Sequence, residues 1–450
     1  MHPHSSMTPA SRRHFLSSAG KATGGLLALA SMPHQAWGDH EETKRISSDF
    51  LQALDAEFAR RVTDGPVDRK GIKGLPAAEL ANLRKAFGVL RNNGLYDQYV
   101  EIHASHCQHN ILIWPWHRAY LYYFEKELQR AVPAADPPVT LPYWNYDNTS
   151  AADDYREIPE PFRDAQVGGQ ANPLYHDRAG AINQGAVIFD YAYVRTSGLI
   201  NRYNQFYSFS NALQNTVHNN VHNMMGLPMM DVFNSPSDPI FWLHHCNLDR
   251  VWVAWRGVNN HNDPTDPGWL NAPLPGFSNK YAGNFLSPTA LGYAYAAETF
   301  NLEATDMAER RGRKHDLKAA LRPARRGADA QEADAALPAD VRRITIRYTD
   351  IELPKRGSVV VRVFLGLPDA NAQTASTDPH FVGQITLLPL HHDGSRTSVD
   401  LDATDIFRRL WLREQRTDFE VTTVVITPPK AADAVAEGFK PRRSSLVISD

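Results

Sequence analysis

Over roughly the first 300 residues apolar positions recur at helical spacing, and from about residue 342 they alternate every second position. Phe50, Leu51, Leu54 and Phe58 share one face between Asp49 and about Arg61. Pro76 with Glu79 opens a second helix over 77–90, and Asn92-Asn93-Gly94 stops it. Residues 96–106, 116–130, 208–225 and 239–256 read as further helices, the last with Asp238 as cap and Pro239 at its first position. Residues 148–200 are rich in Pro, Gly, Asn and Asp, which predicts long surface loops. Residues 303–338 are dominated by Ala, Arg, Glu and Asp and read as an exposed, partly helical linker. Beyond it Ile344–Tyr348, Val359–Phe364, Gln384–Leu387 and Phe419–Ile426 carry the strand period, so four to six short strands form an antiparallel sandwich. The expected fold class is α+β: a mainly α-helical bundle over 45–302, a charged linker over 303–338, and a small antiparallel β-sandwich over 339–450.

Composition adds limits. A chain of 450 residues exceeds one compact core. A formal net charge of −3 lacks the basic face that nucleic acid needs. Two cysteines, Cys107 and Cys246, do not make a disulfide framework. Arg12-Arg13, the apolar run from Gly24 to Ala30 and the small residues near Ala36-Trp37-Gly38 have the order of a twin-arginine signal. Residues 1–38 are therefore expected to direct export to the periplasm or outside. The run is too short to span a bilayer, so no transmembrane segment is expected. A homo-oligomer is compatible with the pattern.

The chemistry lies in the placement of histidines. His218 and His222, at i and i+4, share a helix face with Cβ atoms about 5–6 Å apart. Alone this is a weak signal, and without a Glu after the first His it is not the zinc-protease motif. His103, His106, His109 and His117 fall within 15 positions. His244 and His245 follow on another helix, where His245 shares a face with Phe241 and Asp249, and His244 shares one with Ile240 and Leu248. A face holding an aromatic and a carboxylate suits a metal ligand with its supporting groups. An apolar face suits a core histidine with its hydrogen bond met. Imidazoles take copper, zinc or iron, so residue type does not name the metal.

Ile113-Trp114-Pro115-Trp116-His117-Arg118-Ala119-Tyr120-Leu121 resembles the FxPWHRxYL signature of the first copper site of tyrosinases. Asp238-Pro239-Ile240-Phe241-Trp242-Leu243-His244-His245 through Asp249-Arg250 resembles DPxFxxHHxxxDR of the second, with His218 and His222 between them. The resemblance covers about 95–300 and is shared by tyrosinases, catechol oxidases and molluscan haemocyanins. It implies two copper ions, one on His103, His109 and His117, the other on His218, His222 and His245, with O2 as co-substrate. The gap from His109 to His117 is one residue shorter than usual, which leaves His106 as an alternative second ligand. Cys107-Gln108-His109 has the Cys-X-His spacing that implies a Cys107–His109 thioether, while Cys246 is taken as a packed free thiol.

By the same resemblance Asn219 would position a water that deprotonates phenols. Gln214 stands where a Glu often does, and a neutral amide cannot take that proton. Val232 matches the substrate-gate position by count, and Phe241 and Asp249 would support the metals. Gly292-Tyr293-Ala294-Tyr295 resembles the tyrosine motif that closes the catalytic domain. The C-terminal strands resemble a domain that covers the site, with Phe364, Leu365 and Leu367 as candidates for the residue that plugs it. The implied function is oxidation of small phenols, o-diphenols or o-aminophenols to o-quinones. The alternatives are a haemocyanin-like reversible O2 carrier and a dizinc hydrolase, which would want carboxylate ligands.

Overall fold

The computed structural model describes residues 51–52, 55–56, 66–147, 155–189, 193–258, 261–295, 315–316, 343–354, 358–389, 396–414, 419–426, 439 and 441–449. The export signal over 1–38, most of the 49–61 helix and most of the 303–338 linker lie outside these residues.

Among the described residues six helices of seven residues or more carry the first part. They are α1 (Ala77–Asn92), α2 (Leu95–His106), α3 (Ile113–Ala131), α4 (Phe206–Leu213), α5 (Asn219–Met225) and α6 (Ile240–Arg256). Gly94, at φ 80°, makes the sharp break between α1 and α2 that a side chain would resist. Asp238 accepts from the Ile240 N–H at 3.0 Å and so serves the first turn of α6, while Arg178 clamps the same carboxylate at 2.6 and 2.8 Å.

Helices α3 and α6 form the centre. Every residue from Ile113 to Gln129 is buried, as expected of a helix surrounded on all sides. Trp242 on α6 stacks on Phe124 of α3 at 3.4 Å and on Tyr120 at 4.8 Å. This pins the two helices at fixed height, which sets the relative position of the histidines one to two turns away.

The single helix expected over 208–225 is broken. Between α4 and α5, Gln214–His218 forms a π-helical turn. The cause is local. The Asn215 side chain donates to the Asn211 carbonyl at 3.0 Å, and the Thr216 hydroxyl donates to the Ala212 carbonyl at 2.6 Å. Side chains thus compete for carbonyls that α-helical N–H groups would use. Such turns recur at functional sites.

The C-terminal strands are β3 (Arg343–Glu352), β4 (Val359–Leu365), β5 (Phe381–Leu387), β6 (Arg396–Asp402), β7 (Val421–Ile426) and β8 (Arg443–Ser449), with β1 (Val67–Arg69) and β2 (Tyr293–Tyr295) paired in the helical part. They form two antiparallel sheets, ordered β7-β4-β5 and 315–316-β8-β3-β6. Ile344, Ile346, Val361, Val363, Ile385 and Val399 fill the space between the sheets. Residues 315–316 therefore supply an edge strand rather than linker. A helix, α7 (Thr404–Glu414), follows β6. The sandwich has its own core, yet Phe364, Phe381 and Leu388 pack into the helical one, so the two parts share a seam. Among the described residues no helix is long and apolar enough to cross a membrane.

Candidate metal centre

α2 and the loop after it supply His103 and His109, α3 supplies His117, the π turn supplies His218, α5 supplies His222, and α6 supplies His244 and His245. Candidate ligand atoms of His103, Cys107 and His109 lie within 4.8 Å of one another. Those of His218, His222, His244 and His245 do likewise. His117 stands beside the first group rather than within it, its ring 5.6 Å from that of His103 and 6.2 Å from that of His109; it stacks on the His245 ring at 4.2 Å with 7° between planes, and the rings of His109 and His218 meet edge-on at 5.5 Å. Phe241 lies 4.1 Å from His245 and 5.0 Å from His103.

Four of the imidazoles are oriented from behind. Nδ1 of His103 donates to the Val232 carbonyl at 2.9 Å, that of His117 to Ile113 at 2.9 Å, that of His222 to Met229 at 2.6 Å, and that of His218 to the Asn219 amide oxygen at 2.7 Å. A neutral ring that donates from Nδ1 presents a bare lone pair at Nε2, the usual way to aim a metal ligand. Met229 and Val232 sit in one short turn, so a single backbone segment orients one ring of each group.

Burial drives these imidazoles toward the neutral form. It pushes His117 down to about 3 and His222 down to about 4. Burial and then neighbouring imidazoles take His103, His218 and His245 well below the ordinary value.

The donor set fits a metal. The buried Nε2 atoms of His117 and His218 have no hydrogen-bond partner, a costly arrangement unless something else takes the lone pair. Nε2 of His222 and of His245 are 3.2 Å apart, and two nitrogens about 2.0–2.1 Å from one ion at a near-tetrahedral angle lie about 3.3 Å apart. Among the described residues neither group includes a carboxylate.

Some expected positions fall elsewhere. His106 packs against Gly276, where an added Cβ would come within 3.1–3.2 Å of its side chain, so His109 is the one brought to the cluster. His244 also joins the second group, with Nδ1 3.1 Å from the Tyr146 hydroxyl and a buried Nε2 that has no hydrogen-bond partner. Cys107 and Cys246 are buried and form no disulfide, and burial raises both thiols well above their ordinary range.

Asp249 does not support His245. One helical turn further on, its Oδ1 accepts from Arg118 at 2.6 Å and its Oδ2 from Tyr293 at 2.8 Å and Tyr295 at 2.5 Å. The tyrosine motif is thus an anchor for α3 and α6. Arg69 lies 3.5 Å from the same carboxylate and forms a fork with Glu125 at 2.9 and 3.2 Å.

Both expected water-holding amides already make hydrogen bonds within the protein. Asn219 accepts from His218 and donates to the Thr386 carbonyl of β5 at 2.6 Å. Gln214 donates to the His109 carbonyl at 2.8 Å. Val232 is buried, and its carbonyl serves His103.

The 364–367 segment packs along the seam between the sandwich and the helical part. Phe364 turns onto Phe381 at 5.6 Å, Leu365 fills the sandwich core, and Leu367 packs at the edge of the main core. The strand that meets α5 is β5. Beside the Asn219 bond, the Thr386 hydroxyl donates to Asn220 at 2.7 Å, and Ser358 donates to Asn223 at 2.6 Å. Tyr146, Arg69, Glu125 and the carbonyls of Met229, Val232 and Thr386 carried no signal in the sequence, because each acts through the backbone or through a partner distant in the chain.

A family model described as the common central domain of tyrosinase matches residues 93–186 and 177–258. The chain is 27% identical over 220 residues to the latent, chloroplastic polyphenol oxidase of Prunus armeniaca, covering 40% of this chain and 34% of that protein. It therefore spans about a third of the length of that relative. It is 26% identical over 372 residues to tyrosinase HcTyr1 of Hahella sp. (strain CCB-MM4), covering 70% of this chain and 78% of the relative. Recombinant latent aurone synthase, a polyphenol oxidase, shares the fold at TM-score 0.61 and 18% identity, over 86% of this chain and 88% of that one.

Proposed function

We propose that this chain, which carries the common central domain of tyrosinase over residues 93–258, is a type-3 copper protein of that family and a copper-dependent oxidase that uses O2 to convert o-diphenols to o-quinones. The observation that carries the reading is the convergence of neutral, buried imidazoles from two sides with no carboxylate among them. His103, His109 and His117 would hold one copper, and His218, His222 and His245 the other. Copper held there would supply the electron transfer to O2 and a Lewis-acid grip on a phenolic oxygen. Burial favours the neutral form of five of these rings, those of His103, His117, His218, His222 and His245, and shields them from bulk water, and Phe241 stands beside them as an apolar wall. Each o-diphenol gives up two electrons and two protons, so two diphenols reduce one O2 to two waters.

Hydroxylation of monophenols is the weaker activity in this reading. It requires a group that takes the phenolic proton, Gln214 is not a base, and both Gln214 and Asn219 are already engaged. We also propose that the sandwich restrains access through β5, that a Cys107–His109 thioether forms in the loaded protein, and that Arg12-Arg13 directs export. The thioether reading rests on the Cys107 sulfur lying within 4.8 Å of the His109 ligand nitrogen.

The test is oxygen uptake by the copper-loaded protein with catechol, o-aminophenol and tyrosine in separate runs. Uptake with catechol well above that with tyrosine is expected. No uptake with any of the three overturns the oxidase in favour of a reversible O2 carrier.

A further inference from the structure

The sixth ligand candidate, His109, differs from the rest. Its five companions sit on helices or on the π turn, whereas His109 lies in the loop between α2 and α3. The ring nevertheless comes to 6.2 Å from His117 and 5.5 Å from His218. What holds the loop there from the opposite side is Gln214, whose Nε2 donates to the His109 carbonyl at 2.8 Å.

Gln214 is itself fixed. It is buried and opens the π turn that ends at His218. The side chains of Asn215 and Thr216 create that turn by taking the Asn211 and Ala212 carbonyls. The residue that opens the turn of one triad therefore grips the backbone of the other triad's loop ligand. The grip requires a donor: a carboxylate at 214 would set oxygen against oxygen.

We propose that Gln214 is a positioning residue that sets His109, and with it copper occupancy of the first triad, by hydrogen-bonding the His109 carbonyl. The proposal rests on the dicopper reading above. In this chain the amide at 214 then holds the ligand loop rather than orienting water. A glutamate at this position would disturb the first triad rather than add a base to the second.

Three near-isosteric changes test this in the full-length protein. Gln214→Glu removes the donor and opposes the carbonyl, Gln214→Met removes the donor alone, and Tyr203→Phe removes a hydrogen bond to the Asp400 carbonyl away from both triads. Each protein is titrated with copper(II), and the bound metal is counted. Electron paramagnetic resonance then separates isolated copper(II), which gives a signal, from a coupled pair, which does not. Wild type holding two coppers per chain with little signal is the precondition, and its failure would refute the dicopper reading instead. Given that, Q214E and Q214M should bind the first-triad copper about 10–100-fold more weakly, as loss of a supporting hydrogen bond does elsewhere. They should show a growing isolated signal near one copper per chain, with Q214E the more severe, while Y203F stays coupled. The proposal is overturned if Q214E and Q214M hold a coupled pair as tightly as wild type. It is equally overturned if Y203F loses as much copper as they do, because the effect would then be one of general stability. If Q214E does not fold, the comparison of Q214M with Y203F decides alone.

Discussion

Replacing Asp249 by Asn should destabilise the helical part through charge rather than volume. Arg69, Arg118, Glu125 and Asp249 form a buried group of two positive and two negative side chains, each at most 4% exposed. The substitution leaves two guanidinium groups facing one carboxylate. Removing one partner of a buried pair costs about 3–5 kcal/mol. Arg118 keeps the Phe285 and Leu286 carbonyls at 3.0 and 2.9 Å and the face of Trp252 at 3.7 Å, so the lower end, about 3 kcal/mol, applies. At about 2–4 °C per kcal/mol for a unit of this size, the melting temperature should fall by about 6–12 °C. Scanning calorimetry on the metal-free protein measures this without any contribution from copper binding. Arg118→Gln combined with D249N supplies the coupling term, and the double variant should be less destabilised than the sum of the singles. A shift under about 2 °C, or strict additivity, would refute the reasoning.

The same group fixes the sign of an acid dependence. Burial alone would raise the Asp249 carboxyl, but Arg118 and Arg69, with the Tyr295 hydroxyl, outweigh it and hold it below the usual range. A depressed native value contributes stability that is fully present above the unfolded value of about 3.9 and is lost as pH falls through the native value. Wild type should therefore lose part of its stability below about pH 4, and D249N should lack that component.

Further outcomes follow from the site. His245→Ala should abolish copper binding at the second triad, whereas His244→Ala should retain it with weakened affinity, as equilibrium dialysis would show; the reverse pattern would exchange their roles. Asn220→Ala removes the acceptor for the Thr386 hydroxyl, worth about 1 kcal/mol, and should raise catechol-dependent oxygen uptake about fivefold at unchanged copper content if β5 restrains access. Peptide mass analysis of the copper-loaded, oxygenated protein should find the segment holding Cys107 and His109 lighter by two hydrogens; an unmodified mass with a free thiol contradicts the thioether.

The helices were legible because apolar periodicity and stop signals such as Asn93-Gly94 act locally. The π turn was not, since it arises where Asn215 and Thr216 capture carbonyls, and side-chain competition of that kind leaves the apolar pattern intact. Strands β3, β4, β5 and β7 announced themselves by alternation. β6 and β8, with Arg and Ser at many positions, did not, and the amphipathic α7 passed unnoticed between strands. The histidines were readable from spacing and order. Their second partners were not, because the Met229, Val232 and Thr386 carbonyls belong to any residue type. Asp249 was read toward His245 since both share a helix face, but a partner on the same face one turn along points at α3 instead.

The most direct test of two copper ions on two histidine triads is anomalous scattering from crystals of the copper-loaded protein, collected on both sides of the copper absorption edge. Two peaks about 3.5–4 Å apart, one against His103, His109 and His117 and the other against His218, His222 and His245, are the expected result. A single peak, or a second peak ligated by His244 in place of His245, would contradict it.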